Sequence, residues 1–142
     1  MKPNLGFYVQ KINDIVTETE AIGDKLNPFF VDVRTSLDNN EELSSERLTE
    51  VHTNFSAGAA RYEEMLATIT TLKAPVKVIG IHKKLEKAYT SYVAACKDMV
   101  DSIDAPAGKV DREKFDASEK EQDETTDVIA FCIQRMTSLL LK

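Results

Sequence analysis

The chain has 142 residues, of which 42% are apolar and 30% charged, and 24 acids against 18 bases leave a net charge of −6. This is the make-up of one folded domain with a core of its own, not of a disordered segment. The acidic surplus disfavours nucleic acid as a partner. No stretch approaches the roughly 20 uninterrupted apolar residues that integral membrane insertion requires.

The N-terminal run MKPNLGFYVQKINDIV has no apolar signal core and no small-residue cleavage site, so a cytoplasmic, unprocessed chain is expected. Five glycines and four prolines are few, and most fall where helices should end, which favours an all-α fold.

The first helix is expected over residues 4–37. Its apolar seam reads Leu5, Val9, Ile12, Val16, Thr19, Gly23, Leu26, Phe30, Val33, Leu37, alternating steps of four and three. Pro28 should kink or break it, because proline removes a helical hydrogen bond and crowds the carbonyl four residues back.

A second helix over 45–72 starts at Ser44 as N-cap, with Leu43 and Leu48 at the spacing of a hydrophobic staple. Its seam is Leu48, Val51, Phe55, Gly58, Tyr62, Met65, Ile69, Leu72. The third, over 75–104, opens at Pro75 and has the most regular seam of all: Val78, His82, Leu85, Tyr89, Tyr92, Cys96, Met99, Ile103. After a loop at 104–110, Asp111 caps a fourth helix over 112–141, with seam Phe115, Ser118, Gln122, Thr125, Ile129, Cys132, Met136, Leu139.

Four long helices with short connections predict a single antiparallel up-down-up-down four-helix bundle. In such a hairpin Cys96 and Cys132 are offset by about 14 residues, or roughly 21 Å. That is too far for a disulfide, so free buried thiols are expected.

Reflecting the chain through its turns places Thr19, Tyr62, Tyr89 and Thr125 in one layer and Gly23, Gly58, Tyr92 and Gln122 in the next. Two mid-bundle layers thus hold polar and small residues where Leu and Ile are usual. The structural explanation is a set of paired hydroxyls that fixes helix register. The functional one is a small-molecule pocket made by these eight residues.

His82 should sit near Cys132, but no third ligand shares their level, so a neutral core histidine is expected and no metal or cofactor. A di-iron bundle would need a Glu three positions before a ligating His, which neither His52 nor His82 has. No phosphate loop, nucleophile elbow or zinc-protease motif occurs, so the chain is not expected to be an enzyme.

Charge is the remaining signal. Residues 73–87 contain five lysines and one acid, Glu86, whereas 111–127 contain eight acids and three bases. A surface polarised in this way suits a protein-interaction module: an adaptor, a chaperone-like partner or an assembly component. The candidate docking residues are Lys83, Lys84, Lys87, Glu119, Glu121, Asp123 and Glu124. Self-association is the other option, through Phe29–Phe30 or the apolar run Leu139–Leu140–Leu141.

Overall fold

The computed structural model describes residues 4–140. Four helices form an all-α bundle: α1 Leu5–Asp38, α2 Ser45–Thr71, α3 Ile79–Asp101 and α4 Arg112–Leu140. The predicted Leu141 lies outside the described residues.

The caps explain where the helices begin. Asn4 Oδ1 accepts the Phe7 N–H at 3.0 Å, Ser44 Oγ the Arg47 N–H at 3.1 Å, and Asp111 Oδ1 the Lys114 N–H at 3.1 Å. Leu43 with Leu48, and Val110 with Phe115, pack into one cluster, as staple spacing requires. At 34 residues and about 51 Å, α1 is continuous through Pro28. It stops at Asn39, and Asn40 turns the chain with φ 52°, a left-handed conformation that asparagine tolerates.

Two boundaries differ from the sequence expectation. Pro75 precedes a 3-10 turn at Val76–Val78, and α3 proper starts only at Ile79. At its other end α3 stops at Asp101, because Ile103–Asp104 (β1) pairs antiparallel with Lys109–Val110 (β2) in a short hairpin.

α3 is the centre of the fold, packed closely against both α4 and α2, and α1 leans on α2. All eight seam residues predicted for this segment are buried, from Val78 to Ile103. Ala88, Val93 and Ala95 are buried as well, because the helix has neighbours on two sides.

The α1 seam is the exception. Leu5 is 49% exposed and Val9 37%; of the first three predicted seam residues only Ile12 is buried, and Tyr8 and Ile15 are buried beside it. In its N-terminal part the helix therefore presents a face about one residue out of phase with the predicted one. Leu5 and Val9 are apolar because they wall a groove, described next, and not because they fill the core.

Candidate functional site

Between α1 and α4 side chains meet, with Tyr8, Ile12 and Val16 packed in one cluster with Cys132, Ile133 and Met136. The backbones of these two helices scarcely approach each other, whereas each pair of sequential helices packs closely. At one end two arginines bridge the gap. Arg34 of α1 reaches Asp116 at 2.6 Å and Glu119 at 2.8 Å on α4, with its guanidinium 4.9 Å from the centre of the Phe115 ring. Arg112 of α4 bonds back to the Leu37 carbonyl and to Asn40 Oδ1 at the end of α1. Away from this clasp, three cavities line the seam in succession.

The first, about 230 Å³, lies at mid-bundle. Gly23, Asn27 and Phe30 of α1, Phe55 and Tyr62 of α2, Tyr92, Cys96 and Met99 of α3, and Glu119, Gln122 and Asp123 of α4 surround it. Its rings are set at angles: Tyr62 and Tyr92 meet edge to face, with centroids 5.0 Å apart and planes at 67°. Gln122 donates from Nε2 to Ser118 Oγ at 3.0 Å, which leaves Oε1 to accept from an occupant. Ser118 in turn donates to the Ala95 carbonyl, which ties α4 to α3.

Burial pushes the Tyr62 phenol and the Cys96 thiol up to about 12, and Tyr92 higher still, so all three are protonated at neutral pH.

The second cavity, about 430 Å³, is apolar, with Ile12, Ile15, Val16, Leu85, Ile129 and Ile133 among its walls and Glu20, Thr126 and Gln134 at its rim. The third, about 330 Å³, continues it between Leu5, Tyr8 and Val9 of α1 and Met136, Thr137 and Leu140 of α4. Ile12 and Ile133 belong to both, so the two form one groove.

The eight mid-bundle residues thus divide. Gly23, Tyr62, Tyr92 and Gln122 line the first cavity. Thr19 and Tyr89 bond each other at 2.9 Å, in register as expected, and border the apolar groove. Gly58 faces no space at all: an added Cβ would lie 2.6 Å from Leu26 Cδ1. Thr125 is buried and donates to the Glu121 carbonyl of its own helix at 2.8 Å.

His82 belongs to a closed network. Its Nε2 is 3.0 Å from the Ile69 carbonyl, which can only accept, so Nε2 carries the proton. Nδ1 therefore accepts from the Tyr8 hydroxyl at 2.8 Å. Sequence reasoning missed Tyr8, although its spacing of four and seven to Ile12 and Ile15 marks the stripe that is actually buried. Cys96 and Cys132 are free and buried. Among the described residues no group of three His, Cys, Asp or Glu could hold a metal ion.

Of the charged candidates, Glu119 is held by Arg34 and Asp123 stands exposed at the cavity mouth. Lys84 lies 5.0 Å from the centre of the exposed Phe131 ring. Lys83, Lys87, Glu121 and Glu124 are exposed and form no ion pair with another described residue. No helix among the described residues is long and apolar enough to cross a membrane.

No protein-family model, curated protein or solved structure matches this chain.

Proposed function

We propose that this protein is a non-enzymatic interaction module whose α1–α4 groove receives an amphipathic helix from a partner protein. The observation behind this reading is the continuity of the second and third cavities through Ile12 and Ile133. From Leu5 to Glu20 the groove is about 23 Å long, the length of a helix of about 15 residues. The half-buried rows of α1 and α4, above α3 residues that are already covered (Leu85 and Tyr89), form a shallow surface for apolar side chains at i, i+3, i+4 and i+7.

The side chains most often used in catalysis are already committed. Both His82 nitrogens are bonded, and both thiols are pushed towards the protonated form by burial. Among the described residues the ionisable side chains on the groove's walls and rim are Tyr8, Tyr89 and Glu20, and Glu119 and Asp123 follow on the neighbouring cavity towards the clasp. A partner helix with basic residues beside its apolar stripe is favoured by that acidity.

The test is site-specific photo-crosslinking in the native host. A crosslinker at Ala130, which is exposed on the groove wall, is compared with one at Ala94 on α3. The expected outcome is a product from position 130 alone, mapping to an amphipathic segment with flanking Lys or Arg. Ile133→Glu should abolish it while the protein stays folded. Equal products from both positions, or a product that survives Ile133→Glu, would overturn the reading. A crosslink to a second copy of this chain would replace the partner protein with self-association.

A second reading, a small-molecule-binding bundle, is favoured by the mid-bundle cavity beside Gly23. The chemistry of that cavity is specific enough to be argued separately.

A further inference from the structure

We infer that the mid-bundle cavity is a binding site for a small organic cation of about the size of choline. The inference deepens the second reading above and is independent of the groove and its partner helix.

The first argument is the lining. Aromatic rings from three helices, Phe30, Phe55, Tyr62 and Tyr92, border the space. The perpendicular Tyr62–Tyr92 pair forms a corner of the wall. Aromatic faces carry negative quadrupole potential and attract ammonium groups, quaternary ones included.

The second argument is the sign of the charge. Among the described residues no lysine or arginine lines the cavity, whereas Glu119 and Asp123 do. Arg34 does reach Glu119, but the same guanidinium also serves Asp38 and Asp116. Arg34 and Arg112 therefore stand in the clasp against Asp38, Asp116 and Glu119, and Asp123 adds a fourth carboxylate that has no ion-pair partner among the described residues. The field at the mouth is negative.

The third argument is the balance of hydrogen-bonding groups. The carboxylates only accept, the Gln122 amide donates to Ser118 and Met99, and the Tyr62, Tyr92 and Cys96 donors bond among themselves. The wall is thus rich in acceptors and suits an occupant that brings positive charge or donors.

The fourth is size. At about 30 Å³ per water, 230 Å³ holds roughly seven or eight non-hydrogen atoms. Exposed Gly23 and Asn27 on one side and Asp123 on the other leave a way in.

The experiment titrates choline and its neutral isostere 3,3-dimethylbutan-1-ol, in which carbon replaces the cationic nitrogen, into the full chain, observed by side-chain NMR. Choline should bind with Kd on the order of 1 mM or tighter, moving the Gln122 amide and the Tyr62 and Tyr92 ring signals. The neutral compound should bind at least about tenfold more weakly, a step of roughly 1.4 kcal/mol.

Asp123→Asn should weaken choline about threefold or more, because it removes an exposed charge and nothing else. Gly23→Leu should abolish binding by filling the cavity, and it also replaces a poor helix former with a good one, so loss of fold is not a competing explanation. Equal affinity for the two compounds, no choline binding at about 10 mM, or unchanged binding by Gly23→Leu would each overturn the inference. None of these results bears on crosslinking at Ala130.

Discussion

Two polar zones in this bundle's interior use the same kinds of side chain to opposite effect. Around His82 the polar atoms are paired, Tyr8 with Nδ1 and Nε2 with the Ile69 carbonyl, although the Tyr8 ring also borders the third cavity. Around Tyr92, polar atoms and rings surround about 230 Å³ of open space. A buried histidine looks more like chemistry than a buried tyrosine does. Yet the histidine is spent on structure, and the tyrosine zone is the one with capacity left. Buried polar groups are paired in both zones, Tyr62 and Tyr92 with each other, and the difference is the space left beside them.

The strongest test of this contrast is alkaline pH. Tyr8 in the closed zone and Tyr62 and Cys96 in the open one are all raised to about 12 by burial, from ordinary values of 10 for the phenols and 9 for the thiol. The folded state keeps protons that the unfolded chain gives up. Their contribution is therefore complete below pH 9 and is lost as pH rises towards 12, at about 1.4 kcal/mol per pH unit for each group. Loss of helicity and tyrosinate absorbance should rise together across that window. Tyrosinate forming well before helix is lost would mean that the open zone admits hydroxide without unfolding, which would sharpen the difference.

Mutations separate the zones directly. His82→Ala removes a packed ring and leaves Tyr8 with only the weak Met136 sulfur contact and the Ile69 carbonyl with only the Leu72 N–H, and should cost about 3–4 kcal/mol in denaturant unfolding. Tyr8→Phe should cost about 2 kcal/mol by leaving Nδ1 unpaired. Tyr92→Phe removes a hydroxyl bonded to Tyr62 and Cys96, which can re-pair with each other beside the cavity, and should cost about 1 kcal/mol. Equal costs for the two Tyr→Phe changes would break the comparison.

The glycines give the smallest and most pointed effect. At Gly58 an added methyl meets Leu26 at 2.6 Å, whereas at Gly23 the nearest atom is the Tyr62 hydroxyl at 4.0 Å. Gly58→Ala should lower stability by about 1 kcal/mol, and Gly23→Ala should raise it by about 0.5–1 kcal/mol, both read from thermal melts.

Much of the fold was legible from spacing alone. The four helices, the Ser44 and Asp111 caps, the complete α3 seam and the register of Thr19 with Tyr89 all follow from periodicity and turn reflection. These are features in which one apolar stripe meets one core.

What escaped the sequence had two stripes to choose between. On α1, Leu5–Val9–Ile12 and Tyr8–Ile12–Ile15 are both apolar at helical spacing. Only the closing of the bundle decides which is core and which walls a groove. The same ambiguity hid the difference between Gly23 and Gly58, since a glycine on a seam shows neither a cavity nor a neighbour's leucine. The groove between α1 and α4 was equally invisible, because it lies between the segments farthest apart in the chain.

The Arg34 clasp has a consequence for how the molecule is made. It joins residues 82 and 85 positions apart, so synthesis finishes α1 well before the Asp116 and Glu119 that hold it exist. At about 5–20 residues per second that interval is on the order of ten seconds. The α1–α2 and α3–α4 hairpins close over short connections, whereas bringing α1 to α4 carries the largest loop-closure entropy. During the wait Leu5, Phe7 and Val9 are exposed, and they stay at least 37% exposed in the finished bundle. The nascent chain therefore presents the N-terminal wall of the groove to the cell before it has the opposite one.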